Sequence, residues 1–348
     1  MREPAAVALH RGIRPILGLL ALAFLATACT SADDPGSGGT ALDEAGLPKL
    51  IWDEAGIMVL DGSNSANELI DDPEAREPGL VPPSGAPQLS RDDYVFNAND
   101  SFWMPHATEF IAGDYSPLHG RQETARSPRT RQNATVLDDA TDEGASGTDG
   151  FTIDELATAA LNNQSFTATS LREDVVERCT DATTVTVAEV PNEDDNERAG
   201  LPAGEVDLTE ACEVLAGWDG IYDLDRAGPP LWREFLNRYE TSAFLDAGSL
   251  WAVPFDPEEP LATPGGLSTG AADESTPNDL VLENLARGVQ ALEIAGIPVD
   301  ATLGETQFAL RNGERIPIHG GAGRDGITNA VGWGTPGSIL DPTFQETE

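Results

Sequence analysis

Between Asn278 and Gly296 the chain reads NDLVLENLARGVQALEIAG, with apolar residues returning every three to four positions. Leu282, Leu285, Val289 and Leu292 share one face and Gly296 suits a C-terminal cap, so a buried-face helix is predicted. The same period marks Asp154–Leu161, Ser170–Cys179 and Leu208–Trp218, the last with Thr209 placed to cap. Leu231–Tyr239 follows a Pro-Pro stop and reads as a further helix. Asp93–Trp103, DYVFNANDSFW, is aromatic and β-branched before it turns polar, which predicts a strand running into a turn. Acidic and Pro-rich loops, NEDDNERAG and PFDPEEPLATPGG, separate these elements, and there is no internal repeat. From residue 48 to 348 the pattern is that of one α+β body.

Upstream the pattern changes. Arg2, Arg11 and Arg14 precede PILGLLALAFLATAC, an apolar run too short to span a bilayer comfortably and ending in small residues. Residues 1–29 read as an export signal. Ala26-Thr27-Ala28 before Cys29 fits a bacterial lipobox, in which the Cys29 thiol is lipidated and becomes the new N-terminus; simple secretion is the alternative. The expected location is the membrane surface, on the outer face or in the periplasm. Residues 30–47 are a Gly/Ser/Asp tether with too little apolar material to fold.

Sixty Asp and Glu face twenty Lys and Arg, a formal net charge of -40. Nucleic acid is excluded as a partner, since a phosphate backbone needs a cationic face. Beyond Cys29 only Cys179 and Cys212 remain, and in an exported chain two such thiols most simply form a disulfide, with two buried free thiols as the alternative. No His/Cys cluster has metal-site spacing, so neither metal nor cofactor is expected. His106, His119 and His319 read as turn or surface residues. A cluster of Arg126, Arg129 and Arg131 reads, taken alone, as a solvated face with surface ion pairs.

Three segments, in order, resemble the penicillin acylase family, closest to its branch acting on cyclic lipopeptides and acyl-homoserine lactones. They are LSRDDYVFNANDSFWMPHATEFIAGDYSPLHGRQETARSPRTR, EACEVLAGWDGIYDLDRAGPPLWREFL and ALEIAGIPVDATLGETQFALRNGERIPIHGGAG. The resemblance implies an N-terminal nucleophile hydrolase of αββα fold with helical insertions, cleaving an acyl amide such as an acyl-homoserine lactone, a lipopeptide or a β-lactam side chain. Such enzymes cut themselves before a serine whose hydroxyl then attacks the carbonyl while its α-amino group acts as base. The resemblance places Asn99 as a side-chain donor to the tetrahedral oxyanion. It places Arg126 as the arginine that holds this asparagine and contacts substrate, with Arg129 and Arg131 near enough to exchange roles. The residues alone also allow Asn97, Asn99 and Asp100 to do no more than close a turn.

The octapeptide DGSNSANE contains Gly62-Ser63-Asn64, the start of a family nucleophile motif, but lacks the tryptophan that follows in the family. Only about 35 residues separate Ser63 from Asn99, too few for the stacked sheets that the resemblance places between nucleophile and oxyanion donor. Ser63 therefore reads as a turn residue and the nucleophile is unassigned. The match covers the latter part of a family β-chain, so the expectation is a truncated acylase, inactive alone. The alternatives are one half of a split enzyme completed by a missing α-chain or nucleophile half, and a lipid-anchored binding protein without chemistry. The glycine-rich HGGAGRDG (His319–Gly326) lacks the Gly-Lys-Ser/Thr of a phosphate loop.

Overall fold

The computed structural model describes residues 71–113, 115, 119–138, 150–191, 200–270, 279–331 and 338–340. The signal, the tether, Cys29 and the Ser63 octapeptide lie outside these residues. The chain divides into two units, Met1–Leu89 with Ile111–Gln122, and Ser90–Phe110 with Glu123–Glu348.

Among its described residues the first unit carries a 3-10 turn, Pro83–Gly85. Its second stretch is held by a hydrogen bond from the Gly113 backbone N–H to Gln122 Oε1, 2.8 Å.

The second unit begins its regular structure at α1 (Pro128–Leu137), where the Ser127 hydroxyl accepts from the Thr130 N–H and a proline fills the first turn. In α2 (Ile153–Ala160), Thr152 and Glu155 form a reciprocal capping box. Helix α3 (Phe166–Asp181) starts before the expected Ser170 because Ser165 accepts from the Ala168 N–H and so fixes the first turn. In α4 (Thr209–Gly217) the expected cap, Thr209, is the first helical residue and the N-cap is Leu208, whose side chain forms no capping bond; Asp207 takes up the first N–H. Its Oδ1 accepts from both the Thr209 N–H at 2.9 Å and the Thr209 hydroxyl at 2.6 Å. The proline pair expected to precede the next helix forms its first turn, in α5 (Pro229–Leu236). In α6 (Leu280–Ile294) Asp279 caps the start, and Gly296, at φ +69°, follows the end. Leu282, Leu285, Val289 and Leu292 are all buried, as their spacing predicts.

The sheets are small. β1 (Thr184–Val187) pairs antiparallel with β2 (Gly204–Asp207), setting Val185 opposite Val206. β3 (Trp251–Val253) pairs with β4 (Gly265–Leu267), and β5 (Phe308–Arg311) with β6 (Glu314–Pro317), just after the short α7 (Leu303–Thr306). The stretch Asp93–Trp103, expected as a strand, is not one. A backbone bond from the Phe96 N–H to the Pro105 carbonyl, 2.9 Å, holds it to a proline that cannot return a donor. Side chains of Asn97, Asp93 and Asp100 take up neighbouring backbone N–H groups that a ladder would have used.

One buried cluster joins α3, α4, α5 and α6 through Leu171, Val175, Leu215, Trp232, Phe235 and Leu285. Close approach of α5 and α6 depends on Gly288, where an added Cβ would stand 3.0 Å from the Phe235 nitrogen. Cys179 in α3 and Cys212 in α4 form a disulfide with Cα atoms 5.8 Å apart. A second cluster, of Tyr94, Trp103, Met104, Ala107 and Ala134, seats the 94–107 loop against α1. The mixed helices and two-stranded antiparallel sheets make the second unit α+β.

Candidate active site

The loop from Asp93 to Phe110 is fixed at its base before it reaches its polar tip. The Tyr94 and His106 rings stack with centroids 4.2 Å apart. The Tyr94 hydroxyl donates to Asp138 Oδ1, 3.1 Å, at the far end of α1 and accepts from the Ala107 N–H. His106 is buried rather than exposed in a turn, with Nε2 at 3.4 Å from Asp93 Oδ2 and Nδ1 accepting from the Thr108 N–H. The stacked ring explains that burial: the apolar face of the imidazole extends the core cluster.

At the tip, Asn97 Oδ1 accepts from the Asn99 N–H at 2.8 Å, and Asn97 Nδ2 donates to the Asp100 carbonyl at 3.3 Å. Asn99 takes φ +59°, a left-handed conformation that asparagine tolerates better than most residues. Asp100 then points back to the start of α1. Its Oδ1 accepts from Arg126 Nη1 at 2.6 Å and from the Ser101 N–H at 2.8 Å. Its Oδ2 accepts from the Thr130 hydroxyl at 2.7 Å and the Ser127 N–H at 3.2 Å. Burial pushes the Asp100 carboxyl up, but the Arg126 guanidinium, the Thr130 hydroxyl and the two backbone N–H groups outweigh it and hold its pKa below the usual value. A carboxylate at a helix N-terminus also gains from the helix dipole.

The three arginines separate in space. Arg126 is buried and is committed to Asp100 and to Thr124, whose carbonyl accepts from its Nε at 2.9 Å. The guanidinium bonded to Asn99 is that of Arg129, which donates to Asn99 Oδ1 from Nη1 at 3.4 Å and Nη2 at 3.3 Å and also to the Ala98 carbonyl. Arg131 turns the other way into the protein, 2% exposed, with Nε and Nη2 donating to the Leu261 carbonyl at 2.9 and 2.7 Å. Its charge lies over the Phe166 ring, 4.3 Å from the centroid, and burial pushes its pKa down to about 10. The cluster is thus not a solvated face: two of its three members are buried.

The outcome at Asn99 is an oriented amide. Because Arg129 can only donate, the Asn99 oxygen must face it, and the amino group faces away. Among the described residues no hydrogen bond involves that Nδ2, and Asn99 is exposed. Such a group donates without carrying a charge. Sequence reasoning missed Asp100 as the tie between turn and helix, Thr130 as a donor to it and Thr124 as the residue that holds Arg126. No spacing signal marks Asp100 or Thr130, since they meet from 30 residues apart, and Thr124 matters only because Arg126, two residues on, is held there.

His319 sits half-buried in a separate amide network, its Nδ1 2.8 Å from Asn163 Nδ2 and 3.2 Å from Asn329 Nδ2. Among the described residues no group of three or more His, Cys, Asp or Glu could hold a metal ion. A cavity of about 290 Å³, lined by Tyr239, Ser242, Asp246 and Asn284 among others, shares no residue with the Asn99 turn.

The family model described as penicillin amidase matches residues 28–341. The chain belongs to the penicillin amidase family. This family member is 31% identical to aculeacin-A acylase of Actinoplanes utahensis over 286 residues, which are 81% of the chain and 32% of that protein. It is 30% identical over 275 residues to the acyl-homoserine lactone acylase PvdQ of Pseudomonas syringae pv. tomato, covering 79% of the chain and 32% of the relative. Against PvdQ of Pseudomonas savastanoi pv. phaseolicola the identity is 28% over 292 residues, 83% and 34% of the two lengths. The chain spans about a third of the length of these relatives.

Proposed function

We propose that this chain supplies the oxyanion-binding part of an acyl-amide hydrolase, with Asn99 Nδ2 as a donor to the tetrahedral intermediate. The single observation that supports this reading is the oriented Asn99 amide: its oxygen is held by Arg129, its backbone by Asn97, and among the described residues its amino group is uncommitted. A neutral amide fixed in advance favours the charge that develops in the transition state over the ground-state carbonyl. Charge-assisted bonds to Oδ1 polarise the same amide and strengthen its N–H groups as donors. Arg129 takes the part of the supporting arginine, and Arg126 acts one step removed, by fixing Asp100 and hence the turn.

The substrate class is an acyl amide of the acyl-homoserine lactone or lipopeptide kind, by kinship with relatives so named. The αββα layering belongs to the same proposal. So does export with a lipid on Cys29, which rests on the lipobox sequence alone. A second reading keeps Asn99 as the donor and places the nucleophile on another polypeptide.

The test is fatty-acid release from an N-acyl-homoserine lactone and from an acylated peptide, by the chain alone and with a polypeptide bearing the nucleophile. In the preparation that turns over, Asn99→Ala lowers kcat by roughly two to three powers of ten with KM nearly kept. Undiminished kcat removes Asn99 from the site. Binding of the acyl amide with no release in either preparation favours the non-catalytic, lipid-anchored binding protein instead.

A further inference from the structure

The glycine-rich segment His319–Gly326 binds no phosphate-loop lysine, and the site described so far leaves it unused. In space its 3-10 turn, Gly323–Asp325, packs against α1. The point of closest interest is Gly323. A Cβ built there would stand 3.5 Å from Arg129 Nε, 3.6 Å from its Cδ and 3.9 Å from its Cβ, in ordinary van der Waals contact along the whole stem of that arginine.

We infer that Gly323 is a positioning residue: the absence of any atom beyond a Cβ at this position leaves the lane in which Arg129 lies to reach Asn99 Oδ1 and the Ala98 carbonyl. This rests on the reading of Asn99 as the oxyanion donor, and it adds the element that sets where that donor points.

The loop, not the arginine, is the fixed wall of the lane. The Asp325 carbonyl accepts from the Ser165 hydroxyl at 2.7 Å and the Thr167 hydroxyl at 2.9 Å, at the capped start of α3. The Gly326 carbonyl accepts from the Phe166 N–H at 3.1 Å. Asp325 itself is wholly buried, so moving the turn would mean moving a packed carboxyl. The main chain of Arg129 is fixed in α1, where its carbonyl accepts from Asn133 Nδ2 at 2.8 Å. What can yield is the flexible stem between that backbone and the guanidinium. A methyl at position 323 only touches it. A branched side chain takes its place, and the guanidinium then loses the geometry of bonds that are already near 3.3 Å.

The experiment needs no turnover, which keeps it separate from the assay of function. The full chain is labelled with 15N-asparagine, and the Asn99 side-chain amide resonance is identified by its loss in Asn99→Ala. Gly323→Val is expected to shift that resonance toward its position in Arg129→Ala, while Gly323→Ala leaves it in place. In the Arg129→Ala background, Gly323→Val is expected to produce no further shift. Gly323→Ser and Gly323→Thr give smaller steps should the valine variant fail to fold, and the shift is expected to grow with side-chain bulk. A resonance that ignores bulk at position 323, or one that moves as much when Arg129 is already alanine, overturns the inference. Either result leaves the Asn99 assignment to be judged by kcat alone.

Discussion

The Arg131 guanidinium lies 4.3 Å from the centroid of the Phe166 ring, inside the protein and with no carboxylate bonded to it among the described residues. Its Nη1 has no hydrogen-bond partner there. In a chain of net charge -40 that is the reverse of what composition suggests, and it makes the side chain a packing element that carries an expensive charge.

Two substitutions separate packing from charge. Arg131→Ala opens a cavity and leaves the Leu261 carbonyl unsatisfied, for an expected loss of roughly 2–5 kcal/mol. Arg131→Met fills much of the space and removes the charge but leaves the same Leu261 carbonyl unpaired, and is expected to cost roughly 1–3 kcal/mol, less than the alanine variant. Urea denaturation of both variants decides it. Equal destabilisation would show that the guanidinium, with its bonds to Leu261, matters more than the volume it fills.

Asp100 has a pKa held below that of an unfolded aspartate, about 3.9. The folded state therefore binds the proton more weakly, and the contribution of Asp100 to stability is complete above that unfolded value. It is lost as pH falls through the folded pKa. Asp100→Asn is expected to cost roughly 1–3 kcal/mol at pH 7, and the gap to the parent should close as the solution is taken below about pH 4. A gap that stays constant across a pH series of denaturation curves would contradict the assignment.

If Arg129 acts through Asn99, the two are not independent. Arg129→Ala lowers kcat for acyl-amide hydrolysis by less than Asn99→Ala does, and adding it to Asn99→Ala lowers kcat little further. Multiplying effects in the double variant would place Arg129 on the substrate by a separate route.

The Cys179–Cys212 bridge closes a loop of sequence separation 33. Replacing both residues by serine is expected to cost about 4 kcal/mol on the loop-entropy model. Intact mass before and after reduction reports whether the thiols are joined in the purified protein.

Intact mass answers two more questions. A lipidated Cys29 at the mature N-terminus is the expected product of the lipobox; an unmodified start elsewhere would discard the anchor. No new N-terminus is expected at Ser63, and one that appears together with turnover abolished by Ser63→Ala would make the octapeptide the nucleophile.

How far the sequence could be read depended on how local the determining interactions are. In α6 the 3.6-residue period and Gly296 are local, and both helix and buried face follow from them. The turn at Asn97–Asp100 was legible as a turn, because Asx side chains bond backbone within two residues. The 93–103 stretch was misread because β propensity describes a surface that needs a partner strand, and Pro105 offers none. Which arginine serves Asn99 was beyond reach: Arg126 and Arg129 stand three positions apart, and the choice depends on Asp100, 26 residues upstream, having taken Arg126. Thr209 became the first helical residue and not the cap for a smaller reason of the same kind, a carboxylate two residues earlier, Asp207, that accepts twice from it.

The bonds from Asp100 to Arg126, Ser127 and Thr130 make the turn and the first turn of α1 a single rigid handle. A displacement of that helix by a few tenths of an ångström would be passed to Asn99 without slack. For anyone reshaping substrate preference by directed evolution, residues 97–100 and 126–130 are therefore the tooling to be clamped, and diversity belongs on surfaces that do not bear on α1.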